Sequence, residues 1–303
     1  MNRAELISEL KRIKTFAETS KANRFLHNPI RYLISIIYSR VLPSLGDFTF
    51  KTSVKTFWGQ NIHIVLPASI DIYLSGGKTH DSEIRLAIFL VNELKNDSCF
   101  LDIGAHYGYF TMLASHLLEA GKVYSIEPST KTYQVLETNC KDLGNVDLFH
   151  CALTDSDEKI EFYEFPTYYS EYNTFELEQY SNQKWYDKGK IIKHVIEGKK
   201  GDTLIQSLDV IPRVVKIDVE GAEYAVLKGL RSFISTNSPL IVMEFAASYR
   251  GNINHKKAHQ LLQDWGYKPF YIDSSGEVNR IESDMDTYLN IIELDSDNIV
   301  YKK

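Results

Sequence analysis

The chain has 303 residues, 44% hydrophobic and 24% charged, a composition that excludes disorder, collagen-like repeats and coiled coil. Its three cysteines, Cys99, Cys140 and Cys151, stand 41 and 11 residues apart, which fits neither a disulfide framework nor a Cys-x-x-Cys metal site and points to a reducing compartment. The net charge of −6 is unevenly spread, because residues 1–60 hold ten Lys and Arg against four acids, leaving +6 on this arm and −12 on the remainder. An acidic body argues against a nucleic-acid partner, and the basic arm can meet either an anionic surface or the body's own acidic face.

No segment reaches the roughly 18 apolar residues of a membrane span, and the polar start MNRAELISELKRIK lacks the apolar region of a secretory signal. A cytoplasmic location is therefore expected, with peripheral membrane contact through residues 1–45 left open. That stretch reads as helical, and IRYLISIIYSRVL (30–42) is mostly apolar, bounded by Pro29 and Pro43. Phe48 to Leu74 alternates like strand (IHIV, IDIYL) up to Gly76-Gly77, so residues 1–75 are expected to form an N-terminal helical and β extension and 76–303 the main domain.

From Glu83 onward, helical and strand patterns alternate: a helix to Leu94, strand CFLDI, helix, strand KVYSIE, helix, strand VDLFHC. Later come strand 213–218, helix 223–234, strand 240–245, helix 255–265, and two final strands near 268–273 and 288–294 joined by Ser275-Gly276. This periodicity predicts an α/β, Rossmann-like, doubly wound and mostly parallel sheet of seven strands with an antiparallel C-terminal hairpin. Residues 162–200 interrupt it with an insertion rich in Tyr (163, 168, 169, 172, 180, 186) and carrying Trp185. Insertions of this length are commonly lids or binding loops, and their aromatic faces can stack on sugar rings or pack on the body.

The segment FLDIGAHYGYF (100–110) runs from a predicted strand into a predicted helix, where glycines allow a tight turn and a close approach to a nucleotide. Glu127 ends the next strand 23 residues after Gly104, near the spacing of an acid that accepts ribose hydroxyls. The dinucleotide pattern G-x-G-x-x-G fails, since His106 stands between Gly104 and Gly108 and Phe110 follows. A NAD-linked oxidoreductase is therefore disfavoured. Asp102, at the carboxyl end of its strand, suits an amino-acid ammonium instead, a combination that resembles the S-adenosylmethionine (SAM) site of class I methyltransferases.

Residues 213–230, RVVKIDVEGAEYAVLKGL, narrow the resemblance, with support from SIEP (125–128), ALTD (152–155), DTL (202–204) and VMEF (242–245). Together these motifs resemble the FkbM family of SAM-dependent methyltransferases, with His106 standing where that family usually has Asn. The resemblance implies SAM as cofactor, with Asp102, Gly104, Ala105, His106 and Gly108 at its methionine end, Glu127 on the ribose and Asp155 near the adenine. It also implies O-methylation of a hydroxylated acceptor, a glycan or other natural product, with a non-catalytic SAM-binding or scaffold protein as the alternative.

Asp218 ends the fourth core strand and is expected near the reacting methyl group, among the cofactor contacts. A hydroxyl acceptor needs a base, for which Asp218, Glu220, Glu244 and His106 are candidates. Glu223, in a first helical turn, suits the helix dipole. A divalent metal held by Asp218, Glu220 and Glu244 is compatible by ligand type, but strand-end carboxylates often have other partners, so no metal is expected. His255 and His259 lack a Glu beside the first or an evident third ligand and read as a solvated helix face. His80 precedes the core helix and could face the site.

Overall fold

The computed structural model describes residues 1–175, 177–180, 186–250 and 253–303; Trp185 of the aromatic insertion lies outside them. The N-terminal arm begins with α1 (Arg3–Glu18), started by a reciprocal capping box between Asn2 and Glu5. Its Leu6, Leu10 and Ile13 recur on one face and are buried in the same core as the helix Asp81–Glu93. Then follow α2 (Lys21–His27) and α3 (Pro29–Ile36), the latter capped by the Asn28 side chain, and a continuation through 37–44. No helix among the described residues is long and apolar enough to cross a membrane.

The strands β1 (Phe50–Lys55) and β2 (Asn61–Leu66) pair as an antiparallel hairpin. IDIYL, expected as strand, is instead the helix α4 (Ile70–Ser75), closed by Gly76 at φ 79°, whose N–H donates to the Ile72 carbonyl at 2.8 Å. Burial of the adjacent pair Ile72 and Tyr73 suits one helical turn, whereas a strand would send them to opposite faces.

The chain then alternates as expected, through α5 (Asp81–Glu93), β3 (Cys99–Ile103), α6 (Tyr109–Leu117), β4 (Lys122–Ile126), α7 (Thr130–Cys140) and β5 (Val146–Phe149). The aromatic insertion is framed by a second, smaller sheet of β6 (Ala152–Thr154), β7 (Lys159–Glu164) and β8 (Ile192–Lys200) in the order β6-β8-β7. There follow α8 (Gly201–Gln206), β9 (Val214–Ile217), α9 (Glu223–Gly229), α10 (Arg231–Asn237), β10 (Leu240–Ala246) and α11 (Ile253–Asp264).

The chain ends in β11 (Lys268–Ile272), β12 (Val278–Arg280), α12 (Met285–Ile292) and β13 (Ser296–Lys302). Ser275-Gly276 does join an antiparallel hairpin, between β11 and β12. The segment 288–294, however, is helical: Asp284 caps α12, and Met285, Tyr288 and Leu289 bury one face. The closing strand is instead β13, antiparallel to both β10 and β11.

The main sheet has the order β12-β11-β13-β10-β9-β3-β4-β5, eight strands rather than seven because the short β12 adds an edge. β10, β9, β3, β4 and β5 are mutually parallel. Strand alternation divides the interior into two cores: Phe100, Val214 and Val242 face α5 and α6, while Leu101, Val215 and Met243 face α9 and α11. The chain leaves β3 between β4 and β9, which is the switch point of a doubly wound sheet and the usual place for a ligand.

Candidate active site

A cavity of about 310 Å³ opens at that switch point, at the carboxyl ends of β3, β4 and β9. Its floor is the turn after β3. Gly104 adopts φ 80°, and a Cβ there would lie 1.7 Å from the Asp218 carbonyl oxygen, so only glycine lets the two strand ends approach. Glu127, leaving β4, accepts hydrogen bonds from the His106 N–H at 2.9 Å and the Ser129 N–H at 3.0 Å. It therefore holds the turn in place while facing the cavity. Burial pushes its carboxyl up to about 7, against these two backbone donors.

Two lining residues, His106 and Glu220, have left-handed backbones at φ 50° and 49°, a cost that side-chain residues usually bear at functional positions. His106 Nε2 lies 3.2 Å from the Ser170 hydroxyl, which joins the insertion to the floor. Burial pulls the imidazole down to about 4, so it is neutral at physiological pH.

The carboxylates of Asp218, Glu220 and Glu244 converge in the same cavity, each with an oxygen within 4.8 Å of the others. Arg250 meets this charge, 3.7 Å from Glu244 and 4.0 Å from Glu220, with its guanidinium 5.9 Å from the centre of the Tyr172 ring. The Tyr180 hydroxyl donates to Glu220 at 2.6 Å. Burial, then the neighbouring Glu244, raises Glu220 well above the ordinary carboxyl range, with Arg250 working the other way. Glu244 is also raised, by burial and by Asp218. Burial acts to raise Asp218 too, but Lys216 at 3.2 Å outweighs it and holds the group low.

Of the residues expected at the cofactor, Gly104, His106, Glu127 and Asp218 line the cavity. Asp102 does not: alternation along β3 turns it toward α6, where it is fully buried, accepts from the Thr111 hydroxyl at 2.8 Å and pairs with Lys216 at 3.3 Å. Ala105 is buried beneath the turn, its N–H donating to the Ile126 carbonyl. Gly108 precedes α6 in the left-handed region at φ 86°, and a Cβ there would lie 2.6 Å from the Leu136 side chain. Asp155 is drawn away by an ion pair with Lys228 on α9, leaving Ala152 and Leu153 at that end of the cavity.

Glu223 stands buried in the first turn of α9, where it also accepts from the Gly221 N–H at 3.2 Å. The face of His255 and His259 is not solvated. His255 is buried 3.6 Å from Glu223, and His259 lies 3.0 Å from the Tyr301 hydroxyl with its ring edge-on to Phe245. His80 does line the cavity. Sequence reasoning missed Arg250, and it missed Lys78, which bridges Glu83 at 3.0 Å and Glu171 at 2.8 Å, tying α5 to the insertion. Their positions depend on loops whose path no local pattern specifies.

The methyltransferase FkbM domain model matches residues 102–269, a span that includes the floor, the three converging carboxylates and the aromatic insertion. The chain belongs to this family. It is 28% identical over 155 residues to the hexuronic acid methyltransferase AglP of Haloferax volcanii, a match that covers 50% of this chain and 58% of the relative. It thus spans little more than half the length of that curated protein. Among solved structures, it is similar to methyltransferase FkbM from Methylobacillus flagellatus, at 14% identity, TM-score 0.41 and coverage of 78% of this chain and 53% of that one. Aeropyrum pernix fibrillarin, solved with natively bound SAM, is 13% identical, with TM-score 0.38 and coverage of 72% and 74%.

Proposed function

We propose that this FkbM-family protein binds SAM in the switch-point cavity and transfers its methyl group to a hydroxyl of a glycan-type acceptor. The observation that carries the reading is Glu127, an acid that faces the cavity while its two oxygens pin the backbone of the turn after β3. A carboxylate held in this way suits a pair of ribose hydroxyls. The surrounding acids suit a cofactor that bears a sulfonium and an ammonium. The similarity to a hexuronic acid methyltransferase supports a sugar acceptor.

When bound, SAM supplies a methyl group already activated on sulfur. The protein's own share is to align the acceptor and to take up its proton. Asp218, held anionic by Lys216, is a weak base and serves as a fixed negative charge on the cavity floor. His106 is a weak base as well, since burial depresses it. Glu220 is engaged by the Tyr180 hydroxyl. Glu244 is therefore assigned as the general base, with burial and Asp218 raising its proton affinity against Arg250. Phe162, Tyr172 and Phe175 give the cavity an aromatic wall against which a sugar face can pack.

The test is transfer of a labelled methyl group from SAM to a panel of uronic acid and neutral-hexose glycans. Glu244→Gln is expected to lower kcat about 10²- to 10⁴-fold with little change in SAM affinity. Unchanged kcat would remove Glu244 as the base. SAM binding without transfer to any hydroxylated acceptor would favour a non-catalytic SAM-binding protein.

A further inference from the structure

The segment from α2 to β1 leaves an apolar surface uncovered. Ile34 and Tyr38 pack inward on the core and Ser35 is buried, while Arg31 reaches the Tyr73 carbonyl at 3.1 Å with its guanidinium over the Tyr73 ring. The segment is thus fixed to the body. Yet Leu26, Ile30, Leu33, Ile37, Val41 and Leu45 are 45% to 73% exposed. Within α3 and its continuation, Ile30, Leu33 and Ile37 follow the i, i+3, i+7 spacing of one helix face. A short helix that is apolar on the side away from its own core has an outward face left to cover.

Charge decides between the possible covers. Between residues 19 and 60 the chain carries Lys21, Arg24, Arg31, Arg40, Lys51 and Lys55 against the single acid Asp47. Lys21, Arg40, Lys51 and Lys55 are exposed. Asp47 is engaged by the insertion, accepting from the Thr167 N–H at 3.0 Å and from its hydroxyl at 3.3 Å. A second copy docked through the same patch about a two-fold axis would set these cations against one another. An anionic lipid surface offers both an apolar layer and the opposite charge, and the −12 on the remainder of the chain favours turning the body away from it.

We propose that residues 21–51 form an interfacial membrane-docking surface, in which Ile30, Leu33 and Ile37 insert between headgroups and the flanking Lys and Arg contact anionic lipid. The Asp47–Thr167 contact joins this surface to the insertion that supplies Ser170, Glu171 and Tyr172 to the cavity. Docking therefore holds the cavity near the bilayer. The inference rests on the exposed stripe and its charge, and stands independently of the proposed reaction.

The experiment is co-sedimentation of the full chain with phosphatidylcholine vesicles, with and without phosphatidylglycerol, at low and high salt. Binding is expected only with phosphatidylglycerol and should weaken as salt rises. The variant Ile30→Ser/Leu33→Ser/Ile37→Ser changes exposed side chains, so its circular dichroism should match wild type while its partition falls at least about tenfold. Lys21→Glu/Arg40→Glu should lose most of the salt-sensitive part. Absence of binding by folded wild-type protein would overturn the proposal. So would a wild-type dimer, measured by light scattering, that the triple substitution converts to monomer without any vesicle binding in either form.

Discussion

The Lys216 ammonium lies 3.2 Å from the Asp218 carboxylate and joins it to Asp102, which is fully buried 3.3 Å away on the other side of the same ammonium. Asp102 and Lys216 are direct partners in the parallel pairing of β3 with β9, so both side chains leave the sheet on the α6 face. One cation thus neutralises a structural acid and anchors a cavity acid. Lys216→Met is expected to destabilise the fold by about 3–5 kcal/mol, because it leaves Asp102 buried and uncompensated. Adding Asp102→Asn should restore part of the loss, read as the midpoint of urea unfolding.

Glu127 gives a pH-dependent test. Its carboxyl is raised from 4.5 to about 7 in the fold, so between these values the folded state binds the extra proton and the residue's contribution to stability is lost as pH rises. Glu127→Gln does not titrate. Relative to wild type, it should gain about 3 kcal/mol as the pH is raised from about 4.5 to about 7.5, because a tenfold difference in proton affinity is worth about 1.4 kcal/mol. Denaturant unfolding of the two proteins across that range measures the difference. A difference that stays constant with pH would show that Glu127 titrates normally in the fold.

Arg250 lowers the proton affinity of both Glu220 and Glu244. With Arg250→Gln, both carboxyls should hold their protons to higher pH, and the acidic limb of the kcat profile for methyl transfer should move upward by about one pH unit or more. If the limb stays in place, neither carboxyl is the group whose ionisation controls the reaction.

Tyr172 lines the cavity beneath the Arg250 guanidinium. Tyr172→Ala removes an aromatic wall and a cation–π contact, and should raise the acceptor KM by about 3- to 10-fold with little effect on SAM affinity. Steady-state kinetics with each substrate varied in turn separates the two effects.

The alternation of β3, β4, β5, β9 and β10 with helices was legible because fully buried parallel strands form short apolar runs separated by helical periods. The converging carboxylates were legible too, since Asp218 and Glu220 follow β9 and Glu244 stands in the last half of β10. Asp102 was harder: its position at a strand end suggests a ligand contact, but the parity that turns it toward Thr111 depends on register within the sheet. The stretches 70–74 and 288–294 failed for a different reason. Five to seven mixed apolar residues satisfy a strand and a helical turn alike, and the choice falls to capping by Gly76 and Asp284. The pairs formed by Lys78, Glu171 and Arg250 arise from contacts between loops and distant strands, and no spacing in the sequence encodes them.

The most direct test of the central claim is calorimetric titration of the purified protein with SAM, with Glu127→Ala and Asp155→Ala measured alongside. The expected result is micromolar binding by wild type and by Asp155→Ala, whose carboxylate is committed to Lys228 outside the cavity, and loss of binding in Glu127→Ala. Failure of the folded wild-type protein to bind SAM, or binding undiminished in Glu127→Ala, would contradict the placement of the cofactor in this cavity.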